Sequence, residues 1–186
     1  MILVGLLIVE GRAMAEKIEE PEWRLLETLG DVELRHYGAS VQATTDLRHG
    51  GESSRGFRRL AGFIFGGNDR AESIAMTAPV EETLGNSHPV MAFTMPAGYT
   101  ADSLPRPDDD SVSIRELPER IVAVIEFSGW ATPGAIKRHS AQLFAVLREQ
   151  GIETVGEHSL NQYNPPWTPP FMRRNEIMVE VSRVEG

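Results

Sequence analysis

The sequence predicts an α+β protein, a two-repeat antiparallel, barrel-like β-sheet flanked by two α-helices. Three observations predict it. Alternating apolar and polar residues mark strands, a helix-period stripe follows each pair of strands, and the whole pattern recurs at a constant offset of 80 residues.

The first alternating segment is residues 32–37, Val-Glu-Leu-Arg-His-Tyr, which turns at Gly38 and resumes at Val41 and Ala43. Period-two alternation with β-branched residues and a turn between reads as a strand pair, here a hairpin. A helix follows. Phe57, Leu60, Ala61 and Ile64 recur at helical spacing, Ser53 or Ser54 can cap the start, and Gly66-Gly67 stops it. Residues 74–80 and 90–95 then read as the two strands that close the first half.

The second half repeats the order. Val112, Ile114, Arg115, Ile121 and Ala123 match Val32, Leu34, Arg35, Val41 and Ala43 without a gap. Its helix has Thr132 as cap, Pro133 in the first turn, Ile136, Leu143 and Leu147 on one face, and Gly151 as terminator. Residues 176–181 close the half after a proline-rich loop. Each half is thus strand, strand, helix, strand, strand. One half alone would leave its sheet face and helix stripe unburied, so the two are expected to pack about a pseudo-twofold axis. A cleft between helices and sheet is the expected ligand site.

Composition narrows the function. With 41% hydrophobic and 24% charged residues the chain suits one globular domain, expected over residues 20–186. It holds no cysteine, which excludes disulfides, zinc-thiolate sites and thiol nucleophiles. A net charge of −9 repels phosphate backbones, so nucleic acid is not an expected partner. Residues 1–19 read as an N-terminal extension or truncated signal-like segment. Residues 1–9 form an apolar run too short to span a bilayer, with Ala13-Met14-Ala15 shaped for signal peptidase but no positive residue ahead. A truncated export signal, a weak membrane anchor and an extension of a chain starting at Met14 stand as its three readings. Membrane association depends on which one holds.

Four stretches carry a family resemblance: residues 32–38, the Met76-Thr77-Ala78-Pro79 core of residues 74–80, Phe127-Ser128-Gly129, and Tyr163-Asn164-Pro165-Pro166 leading to Arg174-Asn175-Glu176. In this order and spacing, over about residues 20–184, they resemble the SOUL haem-binding family. The resemblance implies a two-repeat barrel that binds haem or a related tetrapyrrole, without catalysis, in a shallow hydrophobic groove. At fold level it is similar to bacterial effector-binding domains. It also implies a candidate iron ligand, His36.

Haem needs an apolar slot, cationic or wet surroundings for its propionates, and often an axial ligand. Phe57, Leu60 and Ile64 would offer the slot, and Arg55 and Arg59, with Arg58, the propionate partners. His36 shares strand parity with Val32 and Leu34 and can ligate iron as neutral imidazole. Each residue has a plainer reading: a helix stripe packed as core, arginines on a solvated face paired with Glu52 or Glu72, and a hydrogen-bonded histidine at a strand end. Phe63 lies off the stripe and reads as core packing or as a second, ligand-facing surface. Met76, Met91, Met95 and Met172 read as gap-fillers. His139 sits beside the second helix's stripe, and His49, His88 and His158 fall in expected loops. The proline-rich loop around Trp167 reads as a rim over the groove or a plug in the barrel.

Other functions remain open. The same groove would take a different small apolar ligand, or a partner helix. An enzyme, a hydrolase on the same fold, is the remaining class. No Gly-x-Ser-x-Gly elbow, phosphate loop or His-Glu-x-x-His occurs, and only Glu176, if buried, suggests a general base.

Overall fold

The computed structural model describes residues 18–47, 53–85 and 89–182. The strands are β1 (Trp23–Leu29), β2 (Val32–Tyr37), β3 (Ser40–Asp46), β4 (Val80–Thr83), β5 (Val90–Thr94), β6 (Val112–Leu117), β7 (Arg120–Phe127), β8 (Thr154–Gln162) and β9 (Asn175–Val181). The helices are α1 (Ser53–Ile64) and α2 (Pro133–Glu149). All nine strands form one antiparallel sheet in the order β1-β2-β7-β9-β8-β4-β5-β3-β6. It is curled but open, with β1 and β6 at its edges.

The order reads the same in reverse when β2–β5 are exchanged for β6–β9, so the two halves are related by a pseudo-twofold axis between β4 and β8. Glu81 and Asn161 face each other across that axis. The expected hairpins do not form. β2 pairs with β7 and β3 with β6, so each half sends its first strand into the other half's sheet. Alternation identified β2, β3, β6 and β7 but carries no information about which strand lies beside which. β1 is added outside the repeat on the free edge of β2, with a register shift between Leu25 and Glu27.

The exchange builds two cores. Val32 and Leu34 of the first half pack with Leu143, Leu147 and Ile177 under α2, while Val112 and Ile114 of the second half pack with Leu60, Phe63 and Phe93 under α1. The buried stripe of α1 is Gly56, Leu60, Phe63 and Ile64, which places Phe63 in the core and turns Phe57 toward the helix flank. At Gly56 the helix lies so close to the sheet that a Cβ would stand 2.5 Å from Leu47 Cδ2. The stop comes at Gly66, at φ +102°, with Gly67 N–H donating to Gly62 O at 2.8 Å. The Ser53 hydroxyl donates to Glu82, at 3.1 and 3.0 Å from its two carboxylate oxygens. In α2, Thr132 Oγ1 accepts from Ala135 N at 3.2 Å, and Gly151, at φ +68°, ends the helix as its sequence predicts.

Residues 74–79 are irregular rather than a strand, with a cis Ala78-Pro79 bond, and regular pairing starts only at Val80. Below them residues 18–22 cross the helix-free face. Glu19 makes a parallel bridge to Thr77, and its carbonyl accepts from Ala78 N at 2.8 Å.

Candidate functional site

The helices lie on one face of the sheet, and the apolar stripe of each is packed into one of the two cores. Two clefts are described. One, of about 30 Å³, sits on the helix-free face among Trp23, Tyr37, Glu81, Asn161, Tyr163 and Met178. The other, of about 420 Å³, runs along the β1–β2 turn to α2 and is lined by polar groups, among them Asp31, Glu33, Glu126 and His139.

The helix-free face is polar yet buried. Glu176 is 1% exposed and accepts from Arg35 Nη1 at 3.0 Å and from the Tyr163 hydroxyl at 2.5 Å. Arg35 also donates through Nε to Glu33 at 2.7 Å, and its guanidinium lies 4.1 Å from the Trp23 ring centre. Burial opposes the charge on Arg35, but Glu176, Tyr37 and Glu33 more than offset it, and its pKa stands above the ordinary arginine value. Burial, with the nearby Glu176 carboxylate, pushes the Tyr163 hydroxyl well above the usual tyrosine range. Arg174 closes the cluster, stacked 3.5 Å from the Tyr163 ring centre and ion-paired with Glu20. Glu176 is thus a buried, saturated carboxylate, and its partner is the distant Arg35 rather than the arginines beside it in sequence.

The site residues expected from sequence are placed apart from both clefts. His36 is on β2, with Nε2 3.6 Å from Glu119 and its side chain 32% exposed. Leu60 and Ile64 point inward and are fully packed, so they hold α1 to the sheet rather than line an opening. Phe57 is 40% exposed and meets Phe93 edge-on, with ring centres 5.3 Å apart. Arg55 and Arg58 are exposed, and Arg59 reaches the Asp46 carbonyl at 3.4 Å. Sequence reasoning passed over Phe65, 67% exposed just past the helix end, whose N–H still donates to Ala61 O at 3.0 Å. Phe57, Ala61 and Phe65 recur every fourth residue, the signal that would have found this flank.

His139 stacks on Phe127, with ring centres 4.2 Å apart. His158 is on β8 against Phe144, not in a loop, and burial lowers its pKa. His49 and His88 lie outside the described residues. No cluster of His, Asp or Glu suited to a metal ion occurs among the described residues, nor any helix long and apolar enough to cross a membrane. In the proline-rich loop Trp167 and Phe171 are exposed.

A pseudo-twofold sheet with both helices on one face defines a two-repeat α+β architecture. The chain belongs to the SOUL heme-binding protein family, whose model matches residues 18–180. It is 27% identical to heme-binding protein 2 of Mus musculus, covering 89% of this chain and 91% of that one. With heme-binding protein 2 of Homo sapiens the identity is 28%, over 88% and 90%. The fold is shared with a hydrolase from Listeria innocua at a TM-score of 0.62 and 13% identity, covering 82% of this chain and 92% of that one.

Proposed function

We infer that this chain binds haem or a related tetrapyrrole on the exposed flank of α1, and that it does so without catalysis. Its family and its similarity to two proteins named for heme binding support the ligand class. The observation that carries the location is the flank itself. Phe57, Ala61 and Phe65 form an apolar ridge about 12 Å long, by the rise of 1.5 Å per residue, beside Gly62, where no atom lies within 4 Å of an added Cβ. A flat macrocycle suits such a ridge, and Arg55, Arg58 and Arg59 on the same helix suit its carboxylates. Bound haem would supply only its own iron and ring. The protein's part is to shield one face and hold the propionates.

His36 keeps its candidacy as iron ligand from the family resemblance alone. It stands on β2, beside β7 in the α2 half, while α1 packs on β3, β5 and β6, so its imidazole is tested separately from the flank. A binding role also agrees with the state of Glu176. A carboxylate already taken by Arg35 and Tyr163, beside a cavity of about 30 Å³, has neither a free oxygen nor room to activate water on a substrate. The same flank would accept another flat apolar ligand with no axial ligand at all, which is the second reading.

Titration of the purified protein with haem, followed by visible absorption, tests both. A saturable Soret shift that weakens in the Phe57→Ser/Phe65→Ser variant is expected, with a moved band in His36→Ala. An unchanged spectrum in His36→Ala keeps the flank and removes the imidazole from the iron. No saturable shift at micromolar haem overturns the haem reading.

A further inference from the structure

The β8–β9 loop presents an apolar surface that the fold does not use. Trp167 and Phe171 are 83% and 80% exposed, and Met172 and Trp130 are exposed as well. The loop is nonetheless firmly built. Arg173 is buried, donates through Nε to Thr168 O at 3.0 Å and through a second nitrogen to Pro166 O, and lies 4.0 Å from the Trp130 ring centre. Gly129 N–H donates to Pro170 O at 2.9 Å and so ties the loop to the start of α2.

Residues 165–172 contain four prolines and no ionisable side chain, in a chain of net charge −9. The prolines carry no amide hydrogen, and the Thr168 and Met172 amides donate inside the loop at 3.0 Å. Little backbone polarity would have to leave water if the tip entered an apolar phase.

The geometry points to a membrane contact: Trp167, Phe171 and Met172 insert into the interfacial zone of an electrically neutral bilayer. Two observations select this occupant. The side chains are those that favour the boundary between headgroups and acyl chains. Neighbouring side chains this exposed stand proud of the surface, which suits a medium that yields around them better than a rigid pocketed partner. The acidic surface selects neutral over anionic lipid.

The test is flotation of the full chain with phosphatidylcholine vesicles, alongside Trp167→Ser/Phe171→Ser and a control that loses an exposed apolar residue elsewhere, Leu25→Ser. The wild type and the control are expected to float. The double variant is expected to bind about tenfold less or weaker still, by the transfer energy of two large apolar side chains, and to lose the blue shift of tryptophan emission. No flotation of the wild type overturns the proposal. So does a double variant that floats like the wild type, which would assign binding elsewhere in the chain. A concentration-dependent dimer that the double variant abolishes, without vesicle binding, would assign the surface to a second copy and overturn it as well.

Discussion

Arg35 and Glu176 stand 141 positions apart in sequence and meet at 3.0 Å across the sheet, joining the first half's leading strand to the second half's closing one. The pair is buried on both sides, so its value shows on removal of one partner. Arg35→Met leaves a carboxylate without its cation in a site that water does not reach. A loss of about 3–5 kcal/mol is expected in urea unfolding, with part of it restored by adding Glu176→Gln. A loss below about 1 kcal/mol would mean that the carboxylate regains solvent.

The tyrosines give a pH dependence of definite sign. Burial, with Glu176 nearby, raises the pKa of both Tyr37 and Tyr163 above the ordinary value. Below about pH 10 folded and unfolded chains both keep these protons, and the stabilisation is complete. Above it the unfolded chain releases protons that the folded chain retains, so stability falls as pH rises. Denaturation midpoints between neutral and strongly alkaline pH should show that fall, and Tyr163→Phe should flatten it. An equal slope in the variant would place the titration elsewhere.

Two glycines at the end of α1 respond oppositely to alanine. At Gly67 a Cβ would stand 2.7 Å from the Gly62 carbonyl oxygen, a backbone atom that cannot yield cheaply. Gly67→Ala should cost about 1–3 kcal/mol. Gly62, within the helix, has open space, and Gly62→Ala should add about 0.5–1 kcal/mol. Thermal melts of the two variants should move in opposite directions.

Ser140 occupies on α2 the place that Leu60 occupies on α1, at the offset of 80 residues. Its hydroxyl is buried and finds no hydrogen-bond partner among the described residues. Ser140→Ala removes that unsatisfied group and improves helix propensity, so stability should rise by about 0.5–1.5 kcal/mol. A lower melting temperature would show that the hydroxyl has a partner in solution.

These features differ in how far they could be read from sequence. Thr132, Pro133 and Gly151 act within one turn of chain, and the α2 boundaries follow from them directly. The 80-residue offset was legible because the register of Val32 on Val112 holds without a gap. The core reading of Phe63 holds, but it read as off the helix stripe because Gly56 presents its side of α1 to the sheet with no side chain to announce it, whereas Phe57 satisfied the same spacing with a visible aromatic. β1 escaped notice because all but its last residue is exposed, so its sequence shows no alternation. Arg35–Glu176 and the exchange of β2 with β6 depend on contacts distant in sequence, which no local period encodes.

The exchanged strands also constrain how the protein can be made. As the nascent chain leaves the ribosome, β3, β4 and β5 can assemble under α1 from the first half alone. The β1–β2 ribbon cannot join them, because its neighbour β7 has yet to be synthesised. Until then Val32 and Leu34, which belong to the core under α2, have no core to enter. Synthesis of the second repeat therefore completes the first, and a ribosome stalled between the two would hold a ribbon with an apolar face and an unpaired edge, the form most open to capture by a chaperone or by another such chain.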